Sequence, residues 1–119
     1  MEMTTTHVED MSVIAVKGKL DTSMSGQLQA TLLAIIDQGT SRVAVDCTQL
    51  DYISSAGLRI VVLLAAKQLR ATHRTLVLYA MTDQVKAAFD MAGFSTILPI
   101  VPSQADALVQ FTGQRSFPS

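Results

Sequence analysis

The run Tyr52-Ile53-Ser54-Ser55-Ala56-Gly57-Leu58-Arg59 joins two stretches of different periodicity. Before it, Arg42-Val43-Ala44-Val45-Asp46-Cys47 alternates and is rich in β-branched residues, the pattern of a strand. After it, Leu58 to Lys67 is dense in helix-compatible aliphatic residues. The two serines therefore fall at the start of a helix. Backbone N–H groups there lack intrahelical partners, and the helix dipole presents its positive end. Such a place favours an anion, and a phosphate added there would be tolerated by the fold and visible to a partner.

Working outward, Met11-Ser12-Val13-Ile14-Ala15-Val16 reads as a strand closed by Gly18, preceded by a short strand near Thr5 to Val8. Asp21-Thr22-Ser23 offers capping side chains for a helix whose Leu28, Leu32, Leu33 and Ile36 fall at helical spacing and which Gly39 stops. The second helix runs from Ala56 to about Ala71. Thr75 to Ala80 reads as a third main strand. Thr82-Asp83 caps a helix carrying Val85, Ala88, Phe89 and Ala92, which ends at Gly93. Thr96 to Val101 reads as a last strand, and Pro99 within it argues for an edge position. Ser103 caps a final helix with Ala105, Leu108, Val109 and Phe111. The order is β-β-α-β-α-β-α-β-α, which predicts an α/β domain with a mixed sheet of four to five strands and about four helices. The expected domain spans 1–112, with a frayed tail over 113–119.

A hydrophobic content of 49 % in 119 residues is enough for one core without disulfides or metal. The net charge of −1 gives no basic face for nucleic acid. Cys47 is the single cysteine and, in a strand-like run, is expected to be buried and inert. His7 and His73 have no spacing that suggests a metal site. Ile60 to Ala66 is the longest apolar run and falls well below the roughly 18 residues of a membrane span. Met1 to His7 has neither part of a secretory signal, so a cytoplasmic location is expected.

Three short motifs, in order, resemble the STAS domain family, and in particular its single-domain anti-sigma factor antagonists. Gly18-Lys19-Leu20-Asp21 is similar to the family's G-x-L-D turn. Val43-Ala44-Val45-Asp46, Leu50 and Ile53-Ser54-Ser55-Ala56-Gly57-Leu58 are similar to its strand, loop and phospho-acceptor motif. Phe89-Asp90-Met91-Ala92-Gly93-Phe94 is similar to the end of its third helix. Together they cover roughly residues 8 to 111. The resemblance implies that Ser55, two residues before Gly57, is the phospho-acceptor, with Ser54 the second choice. It implies a partner surface of Asp21, Ser54, Ser55, Ala56, Gly57, Leu58 and Arg59. Ser54 stands where these antagonists commonly carry Asp, and Ala56 where Ser or Thr is frequent.

Read as residues alone, Ser54, Ser55 and Asp21 are helix caps, and Asp46 holds the loop after its strand. Ile60, Val62, Leu63 and Leu64 exceed one buried stripe, so this helix is either widely buried or carries a partner-facing patch. The resemblance implies a phospho-switch without catalytic residues, cofactor or metal. Its partners would be a serine kinase that is also the anti-sigma factor, using Mg-ATP, and a serine phosphatase. Neither nucleic acid nor membrane insertion is expected. A non-covalent nucleotide- or anion-sensing module is the alternative. A serine hydrolase finds no positioned base and no G-x-S-x-G elbow.

Overall fold

A computed structural model of the chain describes residues 2–74, 76–96 and 98–115, with side chains described within 3–111. Strands β1 (Glu2–Val8) and β2 (Met11–Leu20) form an antiparallel hairpin over Glu9-Asp10, with Glu9 at a φ of 55°. Helix α1 (Thr22–Asp37) leads to β3 (Val43–Asp46) and β4 (Leu50–Ile53), and then to α2 (Ser55–Thr72). Next come β5 (Val77–Tyr79), α3 (Asp83–Met91), a 3-10 turn at Phe94–Thr96, β6 (Ile100–Val101) and α4 (Gln104–Arg115).

The sheet order is β1-β2-β3-β5-β6, parallel except for the first pair. Along its length β2 passes from β3, opposite Ser12 to Ala15, to β4, opposite Gly18 to Leu20. Alternation along the strands divides the core in two. Val43 and Val45 face Met24, Leu28 and Leu32 of α1, Val61 and Leu64 of α2, and Phe89 of α3. Ala44, Val77 and Tyr79 face Ala107 and Phe111 of α4. Three helices thus cover one face and α4 the other, as an α/β layer architecture requires.

The mixed α/β fold and four helices agree with the sequence reading, but several boundaries differ. Residues 50–53, expected as loop, form β4, giving six strands among the described residues. Gly18 does not close its strand. With a φ of 95° it shifts the register and lets β2 continue to Leu20, because a residue without Cβ takes that conformation freely. The second helix starts one residue earlier than expected, at Ser55.

The last strand shrinks from Thr96–Val101 to Ile100–Val101. Phe94 to Thr96 turn instead, the Leu98 N–H donates to the Phe94 carbonyl at 3.1 Å, and Pro99 has no N–H for a ladder. Ile97 in that stretch and Thr75 before β5 lie outside the described residues. In α4 the buried positions are Ala107 and Phe111, whereas Ala105 and Val109 are exposed, since 107 and 111 lie four apart on the face turned to the sheet. The α4 backbone is helical to Arg115, across the start of the tail expected from 113, and residues 116–119 are outside the described set.

The motif Phe89 to Phe94 is explained by the fold. Phe89 is fully buried, and Gly93 takes a φ of 79° as α3 ends. The Ser95 hydroxyl and then Lys86 hold the Asp90 carboxyl below its ordinary pKa.

Candidate functional site

The strand ends of β2 and β4 bring two helix starts together. Asp21 caps α1, its Oδ1 accepting from the Met24 N–H at 3.1 Å. Ser54 caps α2, its Oγ accepting from the Gly57 N–H at 3.1 Å. The two caps are joined through the Leu20 carbonyl, which accepts both the Ser54 N–H at 3.0 Å and the Ser54 hydroxyl at 3.2 Å. Gly57 makes this approach possible: a Cβ there would lie 2.7 Å from the Leu20 carbonyl oxygen.

This geometry separates the two serines. The Ser54 hydroxyl donates once and accepts once, and its residue is half-buried. Ser55, the first residue of α2, is exposed, and among the described residues its hydroxyl has no hydrogen-bond partner. No carboxylate occupies the first turn of α2, so the positive helix end is left for an incoming anion. Ala56 and Leu58 are half-buried, and Leu58 packs against the core. Arg59 is exposed one turn along.

Ser54→Ala removes the cap and the tie to β2 together, and about 1–2 kcal/mol of stability should be lost. Ser54→Asp keeps an acceptor for the Gly57 N–H but cannot donate to Leu20, so its loss should be smaller. Urea denaturation of the three proteins measures the series.

The remaining candidates have structural positions. Asp46 Oδ1 accepts from the Thr48 N–H at 2.9 Å and holds the loop into β4, as expected. Cys47 is buried; desolvation, then the nearby Asp46 charge, pushes its thiol pKa up to about 12, so it is neither an anion nor a nucleophile at neutral pH. His7 and His73 are exposed, and His73 ends α2 in the left-handed region. Among the described residues, no group of His, Cys, Asp and Glu could hold a metal ion.

The surplus of apolar residues on α2 divides. Leu64 is buried, Ile60 and Val62 are half-buried, and Leu63 is 56 % exposed. A notch of about 100 Å³ lies between Tyr52 and Ile53 of β4 and Gln84, Val85 and Ala88 of α3. A cavity of about 290 Å³ is lined by Thr4, Lys17, Asp46, Thr48 and Gln49 among others. Neither is lined by Asp21, Ser54 or Ser55; of these three, Asp21 and Ser54 are half-buried and Ser55 is exposed.

Two features escape the motifs. The Leu20 carbonyl is a backbone group that no residue type signals. Gln68 is fully buried on α2, and its Nε2 donates to the Thr40 carbonyl at 3.0 Å. Its position after Val61, Leu64 and Ala65 on the buried stripe was a readable signal.

The family model described as "Mlab, STAS domain" matches residues 3–102. The chain is 40 % identical over 111 residues to the Bordetella bronchiseptica protein described as "Putative anti-sigma factor antagonist BtrV", covering 93 % of this chain and 95 % of BtrV. The crystal structure of a Thermotoga maritima protein described as "a putative anti-sigma factor antagonist" superposes with a TM-score of 0.84 at 12 % identity, covering 91 % of this chain and 92 % of that one. The Bacillus cell fate determinant SpoIIAA in its phosphorylated form gives a TM-score of 0.70 at 18 % identity, covering 92 % of this chain and 99 % of that one. No helix among the described residues is long and apolar enough to cross a membrane. The structural likenesses carry the fold, and the family model together with the BtrV identity carries the kinship: this chain belongs to the STAS domain family.

Proposed function

We propose that this protein is an anti-sigma factor antagonist that works by partner switching, with Ser55 as its phospho-acceptor. The observation that carries this reading is the division of labour between the serines: the Ser54 side chain is tied into the fold by two hydrogen bonds, while Ser55 is exposed at the helix start and its hydroxyl has no hydrogen-bond partner among the described residues. The identity to BtrV and the existence of a phosphorylated SpoIIAA support it. Unphosphorylated, the protein binds a serine kinase that is also the anti-sigma factor, and so frees that factor's captive. The kinase transfers the γ-phosphoryl group of Mg-ATP to the Ser55 hydroxyl, and a phosphatase removes it. The chain itself catalyses nothing; its contribution is to hold one hydroxyl at an open surface.

The switch is electrostatic. A phosphate brings about −1.5 to −2 charge near neutral pH. At the start of α2 that charge meets free N–H groups and the positive dipole end, so the fold is barely disturbed. In a packed interface the same charge must be desolvated, and the partner leaves.

The test is binding to a kinase captured from native-cell lysate on immobilised Ser55→Ala protein. Ser55→Ala should bind as tightly as the wild type and never release on addition of Mg-ATP. Ser55→Glu should bind about 100-fold more weakly, a change of about 2.7 kcal/mol, with an unchanged melting temperature. Equal binding of all three would remove Ser55 from the interface. A wild type stabilised thermally by nucleotides alone would favour the non-covalent anion sensor instead.

A further inference from the structure

The buried side of α2 is formed by Gly57, Val61, Leu64, Ala65 and Gln68. The opposite side starts at Ser55 and runs through Arg59, Leu63, Ala66 and Arg70, with Lys67 beside it. Steps of four, four, three and four residues keep these side chains in one line along the helix. All six are exposed, and Leu63 is 56 % exposed.

This ridge carries charge of one sign. Helix α2 has three basic residues, Arg59, Lys67 and Arg70, and no acid. Nine Lys and Arg against ten Asp and Glu give the chain a net charge of −1, so outside α2 six basic residues stand against ten acids. Positive charge is gathered on one helix of a chain that is acidic elsewhere. Among the described residues, none of the three forms an ion pair, whereas Lys86 on α3 is matched by Asp90 one turn along. The helix dipole accounts for Arg70 in the last turn. It does not account for Arg59, which stands towards the positive end.

We propose that this ridge is the docking surface for the switching partner, and that the partner meets it with an acidic face holding an apolar recess for Leu63. The proposal rests on the partner-switching reading and names the chemistry of that partner. Charge complementarity selects the occupant. A second copy laid ridge to ridge about a two-fold axis sets like charges together. Nucleic acid and anionic membrane present negative charge well beyond one helix, where the surplus of acids outside α2 repels it. A compact acidic protein face meets the ridge alone.

The ridge begins at Ser55, so contact and switch share one surface. A phosphate there sets about −1.5 to −2 charge against the three positive ones. It acts mainly on Arg59, about 6 Å along the helix axis. Lys67, about 18 Å along, lies beyond the screening length of about 8 Å. Lys67 and Arg70 therefore report on the ridge separately from the phosphate.

The test titrates the kinase eluted from immobilised Ser55→Ala protein onto variants of the full chain. The double variant Lys67→Glu, Arg70→Glu should bind at least about 30-fold more weakly, because like charges replace complementary ones. Its melting temperature should barely move, since both positions are exposed. Raising NaCl from about 0.05 M to about 0.5 M should weaken the wild-type complex and change the double variant little. Val109→Glu, on exposed α4 surface across the sheet, should bind as wild type. Double-variant binding equal to wild type, with Ser55→Glu still impaired, would overturn the ridge and leave the switch. The reverse pattern would overturn the switch and leave the ridge. A glutamate-rich peptide with one leucine needs no captured kinase: it should shift the amides of Arg59, Leu63, Lys67 and Arg70 in the wild type and not in the double variant. Unmoved ridge amides, or tighter binding to single-stranded DNA or phosphatidylserine vesicles than to the peptide, would overturn the proposal.

Discussion

Replacing Gln68 with Glu is expected to destabilise the protein by about 3–5 kcal/mol near neutral pH, the range for leaving a buried charge uncompensated. Gln68 is fully buried, its Nε2 donates to the Thr40 carbonyl, and its Oε1 has no partner among the described residues. A carboxylate in that place loses the donor and sets negative charge against a carbonyl oxygen. The effect depends on pH in a defined direction. Desolvation raises the folded-state pKa of the new carboxyl above its unfolded value of about 4.3. Below the unfolded pKa the side chain is a neutral acid that can donate to Thr40, and the variant should approach wild-type stability. As pH rises through the folded pKa that stability is lost. Urea denaturation of the variant and the wild type at pH 4 and pH 8 checks this: the gap between them should widen at the higher pH.

Gly57→Ala is the second large effect, with an expected loss of about 2 kcal/mol, within the range for overpacking. The new Cβ would lie 2.7 Å from the Leu20 carbonyl oxygen and 3.0 Å from Ile53 Cγ1 and Leu20 Cγ. The backbone oxygen cannot rotate away, so the start of α2 must lift off β2, stretching both Ser54 bonds to Leu20. Alanine's helix propensity returns about 1 kcal/mol, less than the contact costs. Gly26 supplies the control, because it is exposed within α1 and a Cβ there meets nothing within 4 Å. Gly26→Ala should therefore stabilise by about 0.5–1 kcal/mol. The same exchange in two helices should move the melting temperature in opposite directions. Under the proposed partner switch, Gly57→Ala should also weaken binding of the partner, since it displaces Ser55.

The helices were legible where local chemistry announces them. Asp21, Thr82 and Ser103 each cap the helix they precede, through bonds to Met24, Val85 and Asp106. The serine pair was placed correctly at a helix start, but the role of each serine was not readable from spacing. Their division depends on the Leu20 carbonyl, 34 residues before Ser54, and on a glycine contact that exists only once β2 and α2 meet. The strand β4 was missed because Leu50-Asp51-Tyr52-Ile53 buries only its first and last residues, which is no alternation, and it pairs only because β2 outruns β3. The final strand was overextended because β-branched residues around Pro99 suggested a ladder that the missing N–H and the preceding 3-10 turn prevent. Gln68 carries no motif, and only its spacing from Val61 and Leu64 places it inside.

Intact-mass analysis with site mapping tests most directly whether Ser55 receives the phosphate. Wild-type protein and the Ser55→Ala variant would be incubated with native-cell lysate and Mg-ATP. One added phosphate mapped to Ser55, absent from the variant, is the predicted result. A phosphate mapped to Ser54, or none at all in a lysate whose kinase demonstrably co-purifies with the protein, would contradict it.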